Sequence, residues 1–278
     1  MGAFGGWGKS TFASKFSEAG GLGIIAAMNF PKFDDFKTDL HHMYDLTDKP
    51  FGVNLSLPHS GFEKAGKRTR SKEDYLKYLE IALNEGVKIF TTSGYKGSFI
   101  RDRVHEAGSY WFHKCVLLRH AISAETEGAD AITLVGLEGT GFKNPLTNST
   151  LVNITMAKKL LKIPIIAAGG IGDSRGFLAA LAMGADAVCL GTALTITEEC
   201  PVSTNIKEKW LNIDIFSEGY YKRIYHYNVK NFMYPSTAIA HYKGIVPLKD
   251  LIVSIVEGAE EILKSWGFKS NEFDSTLI

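Results

Sequence analysis

The stretch from Ile163 to Leu194 constrains the fold of this chain more than any other. It reads IPIIAAGGIGDSRGFLAALAMGADAVCLGTAL. An apolar run at 163–168 leads into a glycine turn, an amphipathic segment follows at 175–183, and a second apolar run covers 187–190. Two short buried strands separated by a helix are typical of a parallel βαβ unit. We therefore predict a parallel sheet in this region.

Both apolar runs end in residues that leave the backbone accessible, Gly169–Gly170 after the first and Gly191–Thr192 after the second. Exposed N–H groups at two neighbouring strand ends, beside a helix N-terminus, form a site suited to a phosphate. In (β/α)₈ barrels the loops after strands 7 and 8 commonly bind phosphate. The alternative is that these glycines only make tight turns. We interpret them as a phosphate site.

Strands alternate with helices along the chain, which predicts a (β/α)₈ TIM barrel. Seven strands are predicted, at 22–27, 51–57, 88–92, 110–116, 131–135, 163–168 and 187–190. The missing one would precede Met1, with Gly2–Gly8 as its βα loop, so the first strand is predicted to be truncated. The 278 residues suit the roughly 250 that such a barrel needs.

The βα period breaks after Leu194. Residues 195–242 are aromatic-rich and are predicted to be irregular, and a long amphipathic helix is predicted at 248–266. We therefore divide the chain into a barrel core at 1–194 and a C-terminal cap with a closing helix at 195–278, both parts of one domain.

Composition narrows the class of partner. The net charge of +1 gives no electrostatic reason to expect nucleic acid or an acidic membrane. Cys115, Cys189 and Cys200 are too far apart in sequence to indicate a disulfide framework or a zinc site. Without a long apolar run or a charged-then-apolar leader, we expect a soluble, cytoplasmic protein with a small-molecule substrate. A homo-oligomer is left open.

Four blocks together resemble the nitronate monooxygenase (2-nitropropane dioxygenase) family. They are SEAGGLGII, DKPFGVNLSL, GADAITLVGLEGTGF and AAGGIGDSRGFLAALAMGADAVCLGTA, and they occur in the family's order. That family includes FMN-dependent enoyl-ACP reductases and NAD(P)H:quinone reductases. The resemblance implies a (β/α)₈ barrel that holds FMN at the C-terminal ends of its strands, with 1–194 and 195–278 forming one FMN-binding domain.

The resemblance also implies which residues bind FMN: Gly2, Ala3, Phe4, Gly5, Asn54, Lys114, Thr140, Gly169, Gly170, Gly191 and Thr192. The Asn54 amide would face the flavin ring, whose edge has both donors and acceptors. Lys114 would face the N1/C2 edge, where the reduced ring becomes negative. His113 is next to Lys114 on the strand and would therefore pack under the helices.

The chain departs from the family in the turn after the strand at 131–135. The family's EAGGH turn ends in a histidine that serves as a base, whereas this chain has Phe142, which cannot take a proton. The catalytic residue is therefore unassigned, with Lys114 and Glu138 as candidates. For Glu138 we favour a role as a hydrogen-bond acceptor that stabilises the turn. No metal ligand is predicted.

Three further features have alternative interpretations. Residues Ala3–Ser10 fit a relaxed Walker A pattern, but neither a preceding strand nor a later Mg²⁺-binding Asp is visible. A basic loop is either an ordinary solvated loop or a lid that attracts an anionic substrate or NAD(P)H. Several tyrosines either cover the flavin or simply pack within the protein. The loop residues are Lys64, Lys67, Arg68, Arg70 and Lys72, and the tyrosines are Tyr220, Tyr221, Tyr225, Tyr227 and Tyr234.

The predicted function is an FMN-dependent oxidoreductase. Electrons would pass through flavin N5 from a nitronate or NAD(P)H to oxygen or an organic acceptor. Within this class the alternatives are an enoyl-ACP reductase or a quinone reductase. In other classes they are a non-catalytic degenerate barrel, a phosphate-binding protein or an NTPase.

Overall fold

The computed structural model describes residues 1–58, 70–94, 96–141, 145–225 and 235–268. All seven predicted strands are confirmed, with ends that move by at most two residues. They are β1 (Gly23–Ala26), β2 (Phe51–Ser56), β3 (Ile89–Ser93), β4 (Tyr110–Cys115), β5 (Ala131–Val135), β6 (Ile165–Ala168) and β7 (Ala187–Cys189).

Helices alternate with these strands in the described ranges. They are α1 (Ser10–Glu18), α2 (Phe33–Leu46), α3 (Lys72–Asn84), α4 (Arg101–Glu106), α5 (Leu118–Thr126), α6 (Thr150–Leu160), α7 (Ser174–Ala182), α8 (Thr192–Thr195), α9 (Thr204–Leu211), α10 (Glu218–Tyr225) and α11 (Leu248–Ser265). Short 3-10 helices cover Ala27–Asn29, Ser98–Ile100 and Thr237–His241. Local sequence explains where two of the helices begin. Ser71 and Asp74 form a capping box at α3, and the Asp173 carboxylate caps α7.

The seven strands form one parallel sheet in the order β1-β2-β3-β4-β5-β6-β7. Sequential parallel pairing is the topology of a (β/α) barrel, since each crossover helix returns the chain to the same end of the sheet. All strand carboxyl ends therefore meet at one end. The core lies between the sheet and its outer helices, where Trp111, Tyr78 and Phe90 are fully buried.

Met1 and Gly2 bridge the two edge strands of the sheet. The Met1 amino nitrogen donates to the Leu22 carbonyl just before β1, at 2.8 Å, and the Gly2 N–H donates to the Leu190 carbonyl just after β7, at 2.8 Å. Outside, α11 packs against α7 and α1. The sheet is thus curled, with its two edges joined through the first residues of the chain.

The prediction that 195–242 is irregular was wrong at two places, because α9 and α10 lie there. Each helix is anchored by only two buried side chains, Lys207 and Trp210 in α9 and Tyr220 and Ile224 in α10. Such spacings of three and four residues are helical. With so few anchors among charged and aromatic neighbours, the helical period is hard to see in the sequence.

None of the helices in the described residues combines the length and the apolar character that a bilayer span requires.

Candidate active site

The turns after β5, β6 and β7 enclose a cavity of about 70 Å³ at the carboxyl end of the sheet. Seven predicted cofactor residues line it: Gly2, Lys114, Thr140, Gly169, Gly170, Gly191 and Thr192. Ligand sites for whole drug-sized molecules hold roughly 300–1,000 Å³. The enclosed volume therefore fits a group the size of a phosphate, and not a complete flavin nucleotide.

The turn Gly169–Gly170, which we call the phosphate turn, has a backbone conformation that glycine adopts far more readily than other residues. Its φ angles are 109° and 73°. A Cβ on Gly169 would lie 2.9 Å from Thr150 Oγ1 and 3.0 Å from the Gly139 nitrogen. Within the described part of the chain, the N–H groups of Gly170 and Gly191 have no acceptor. These free donors on the cavity wall fit an anionic ligand.

Thr192 adds a hydroxyl to the same wall. Its Oγ1 accepts a hydrogen bond from the Ser236 N–H at 3.0 Å. Since that bond uses an oxygen lone pair, the hydroxyl proton stays available to a ligand. Ser236 itself lines the cavity, which brings the segment before the 3-10 helix Thr237–His241 into the site.

Strand alternation in β4 separates Lys114 from its neighbour, as predicted. Lys114 lines the cavity and places a cation beside the free N–H groups. His113 points the other way and is 4% exposed, with Nδ1 2.8 Å from Thr92 Oγ1. Burial lowers the pKa of His113 to about 4. His113 is therefore a neutral core residue, and Lys114 is the member of the pair that can meet a ligand.

Asn54 lies on β2, and its side-chain amide is hydrogen-bonded to neighbouring side chains. Its Nδ2 donates to Thr91 Oγ1 at 2.7 Å, and its Oδ1 accepts from Ser56 Oγ at 2.6 Å. Asn54 is 1% exposed and does not line the cavity. Any contact with a flavin ring would have to compete with these bonds.

The N-terminal loop contributes Gly2 to the cavity lining, whereas Ala3, Phe4 and Gly5 are not part of it. Asn29 fixes this loop, because its Nδ2 donates to the Phe4 carbonyl at 2.9 Å and its Oδ1 accepts from the Gly6 N–H. The loop therefore borders the site mainly with its backbone, which the side chain of Asn29 holds in place.

The Walker A interpretation finds no support in the same region. A P-loop needs its Ser hydroxyl for Mg²⁺. Here the Ser10 hydroxyl donates to Asp39 at 2.7 Å, and the Ser10 N–H donates to the same carboxylate at 2.9 Å. Lys9 lies over the Phe30 ring, 5.4 Å from its centroid. Both residues have structural roles in joining α1 to α2 and its preceding loop.

Glu138 accepts hydrogen bonds at the start of α6. Its Oε2 lies 2.8 Å from both the N–H and the hydroxyl of Thr150. The acceptor role that we favoured for Glu138 is therefore present in the structure. Phe142, which stands at the family's histidine position, lies outside the described residues.

The basic loop and the tyrosines are described only in part. Arg70 donates to the Phe30 carbonyl at 2.8 Å and stacks on Tyr78, so it holds the segment between β1 and α2. Lys72 lies over the ring of Phe99. Tyr220 donates to the Pro235 carbonyl at 3.0 Å and is buried, whereas Tyr221 is exposed. Lys64, Lys67, Arg68, Tyr227 and Tyr234 lie outside the described residues.

Sequence reasoning missed six cavity residues: Val135, Gly139, Ala168, Ile171, Cys189 and Ser236. Val135, Ala168 and Cys189 end β5, β6 and β7, and Gly139 and Ile171 lie in the turns after β5 and β6, so their position at the carboxyl end of the sheet was available from the strand pattern. Ser236 had no such signal, because it comes from beyond the barrel repeat. The described residues contain no cluster of His, Cys, Asp or Glu suited to a metal.

The sequential parallel sheet, with glycine turns at the ends of β6 and β7 and Lys114 on the wall of the same cavity, defines a TIM-barrel-like protein. The nitronate monooxygenase family profile matches residues 1–217. The chain therefore belongs to the nitronate monooxygenase family, as its sequence blocks predicted.

Individual relatives agree with this assignment. A Mycobacterium tuberculosis protein named "(3aS,4S,5R,7aS)-5-hydroxy-7a-methyl-1-oxo-octahydro-1H-indene-4-carboxyl-CoA dehydrogenase" is 32% identical over 199 residues, which are 71% of this chain and 52% of that protein. The nitronate monooxygenase of Pseudomonas aeruginosa is 29% identical over 230 residues, covering 70% and 65%. The chain thus spans about half to two thirds of the length of these curated relatives.

Solved structures show the same fold. FabK from Thermotoga maritima has a TM-score of 0.79 at 24% identity, covering 96% of this chain and 94% of that one. Nitroalkane oxidase from Streptomyces ansochromogenes has a TM-score of 0.75 at 20% identity, covering 94% and 95%.

Proposed function

We propose that this chain is an FMN-dependent oxidoreductase that acts on a small-molecule substrate. The observation that carries the proposal is the phosphate-sized cavity, whose wall combines unpaired glycine N–H groups, a threonine hydroxyl and Lys114. FMN is the family cofactor that joins a phosphate to a redox ring. When bound, it would supply electron transfer between a donor and an acceptor.

The residues of the chain would divide the work of binding. Gly170, Gly191 and Thr192 would donate hydrogen bonds to the phosphate, and Lys114 would offset the negative charge of the nucleotide. Gly2, which lies beside Gly191, would border the ligand on the same wall. With Phe142 at the histidine position, no side chain is assigned as a strong base, so we favour a substrate that is already anionic or a direct hydride donor such as NAD(P)H.

A second candidate substrate class is a CoA thioester. It is favoured by the Mycobacterium tuberculosis relative, whose name is that of a carboxyl-CoA dehydrogenase and which is 32% identical. Nitronate oxidation and enoyl-ACP or quinone reduction remain alternatives within the same cofactor chemistry. We further propose that residues 195–278 cap the barrel and that the protein works in the cytoplasm, with a homo-oligomer left open.

The test is the visible absorption spectrum of the purified protein, before and after release of the chromophore by denaturation. Twin flavin bands and a released species that behaves as FMN are expected. Anaerobic addition of NADH, NADPH, a nitronate or an acyl-CoA then identifies the donor by bleaching of the bands. A colourless protein that also takes up no added FMN would refute the proposal and favour a degenerate barrel or a phosphate-binding protein.

A further inference from the structure

The side chain of Glu138 lies where three segments of the site meet. These are the turn after β5, the first residue of α6, and the phosphate turn after β6. Its Oε2 accepts from the N–H and from the hydroxyl of Thr150, each at 2.8 Å. A Cβ on Gly170 would lie only 2.9 Å from Glu138 Cβ, so the stem of Glu138 lies directly against the phosphate turn.

Thr150 connects Glu138 to the other half of that turn. Its Oγ1 lies 3.0 Å from the Gly169 carbonyl oxygen and 3.3 Å from the Ala168 carbonyl oxygen, in addition to the Glu138 carboxylate. A hydroxyl has one proton, so only one of these three acceptors can receive it at a time. The carboxylate carries a charge and is at the shortest distance, and it therefore takes the largest share.

The surrounding backbone leaves little freedom for this contact to relax. The Gly136 N–H donates to the Ala168 carbonyl at 2.9 Å, which fastens the turn after β5 to the end of β6. A Cβ on Gly136 would lie 2.2 Å from both the nitrogen and Oγ1 of Thr150. Glu138 is thus the ionisable group in a tightly packed junction that holds the phosphate turn from behind.

We propose that Glu138, anchored by Thr150, is a positioning residue whose stem packs against the phosphate turn and holds Gly169 and Gly170 in the conformation that binds the phosphate of FMN. This inference rests on the proposed function. Glu138 does not line the cavity. It receives both Thr150 donors, so its stem keeps a fixed position against Gly170, which does line the cavity.

The proposal predicts a larger effect on the binding of FMN, which carries the phosphate, than on the binding of riboflavin, which has the same ring. Glu138→Leu removes the oxygen that accepts from both Thr150 donors while keeping a side chain of similar bulk. Thr150→Val removes the hydroxyl with little change in volume. Each variant is expected to weaken FMN binding about tenfold while leaving riboflavin, which lacks the phosphate, within twofold of the original protein. Thr150→Ser is the matched control, because it keeps the hydroxyl.

The experiment measures dissociation constants for FMN and for riboflavin by flavin fluorescence quenching, on the full chain freed of any bound flavin. Melting temperatures verify that each variant is folded. A smaller preference for FMN over riboflavin in both variants, with losses that do not add in the double variant, supports the proposal. An unchanged preference overturns it, as does an equal loss of both ligands. If the original protein binds neither flavin, the proposed function fails at that first step.

Discussion

The buried histidine of β4 makes the stability of this protein depend on pH below about pH 6.5. Trp111 Nε1 donates to Thr92 Oγ1 at 2.8 Å, and an indole nitrogen can only donate. The Thr92 hydroxyl keeps its own proton, which it can give to His113 Nδ1, 2.8 Å away. In that arrangement His113 is neutral and carries its proton on Nε2.

The expected size of the effect follows from the pKa. Desolvation lowers the pKa of His113 from 6.5 to about 4, and it outweighs the opposite influence of Glu127; His120 adds to the lowering. A folded pKa below the unfolded one means that protonation favours the unfolded chain, so the stabilising contribution is complete above about pH 6.5 and is lost as the pH falls towards 4. One pKa unit corresponds to about 1.4 kcal/mol, which gives about 3 kcal/mol in all and about 2 kcal/mol between pH 7 and pH 5.

The assay is urea unfolding followed by tryptophan fluorescence at pH 7 and pH 5. The free energy of unfolding should fall by about 2 kcal/mol more for the original protein than for His113→Asn, whose Oδ1 can still accept from Thr92. His120→Asn serves as the comparison: His120 is exposed on α5 and adds only in part to the lowering of the His113 pKa, so its removal should change the pH dependence less than His113→Asn does. Equal pH dependence in the original protein and His113→Asn would refute the reasoning.

Two further predictions concern the cavity. Gly169→Ala places a Cβ against Thr150 and Gly139 at a φ of 109°. It should therefore weaken FMN binding at least tenfold in a fluorescence titration. Gly191→Ala is the milder comparison, because a Cβ there meets no atom within 4 Å. Alkylation of the native protein at pH 8, followed by mass spectrometry, should label Cys189 alone, because burial raises the pKa of the Cys115 thiol to about 12 and also raises that of Cys200. Added FMN should slow the labelling of Cys189, which lines the cavity. Labelling of Cys115 at a similar rate would contradict that assignment.

Much of the fold follows from the sequence because parallel strands are buried on both faces. Each strand then appears as a short apolar run, as in Ala131–Val135, whose predicted and observed bounds agree. The cavity followed from the same logic, since strand ends with bare backbone meet at one end of a barrel. Helix α10 escaped prediction because two buried residues, Tyr220 and Ile224, leave too weak a period.

The details that sequence could not supply are pairings between distant side chains. Nothing in the pattern around Asn54 reveals that Thr91 and Ser56 occupy its amide. In the same way, the link between Glu138 and Thr150 depends on where α6 begins in space. Such contacts join residues whose separation in the chain carries no periodic signal, so they emerge only once the turns are placed.

The hydrogen bond between the Gly2 N–H and the Leu190 carbonyl joins residues from opposite ends of the barrel sequence. Closing a loop of that length costs chain entropy, which favours late formation of such a contact in folding. In refolding from urea, pulse-labelling hydrogen exchange should therefore find the Gly2 amide among the last to gain protection, well after the amides of β2 and β3. The hydrogen bond of Gly2 would then be one of the last contacts to form in folding and one of the first to break in unfolding.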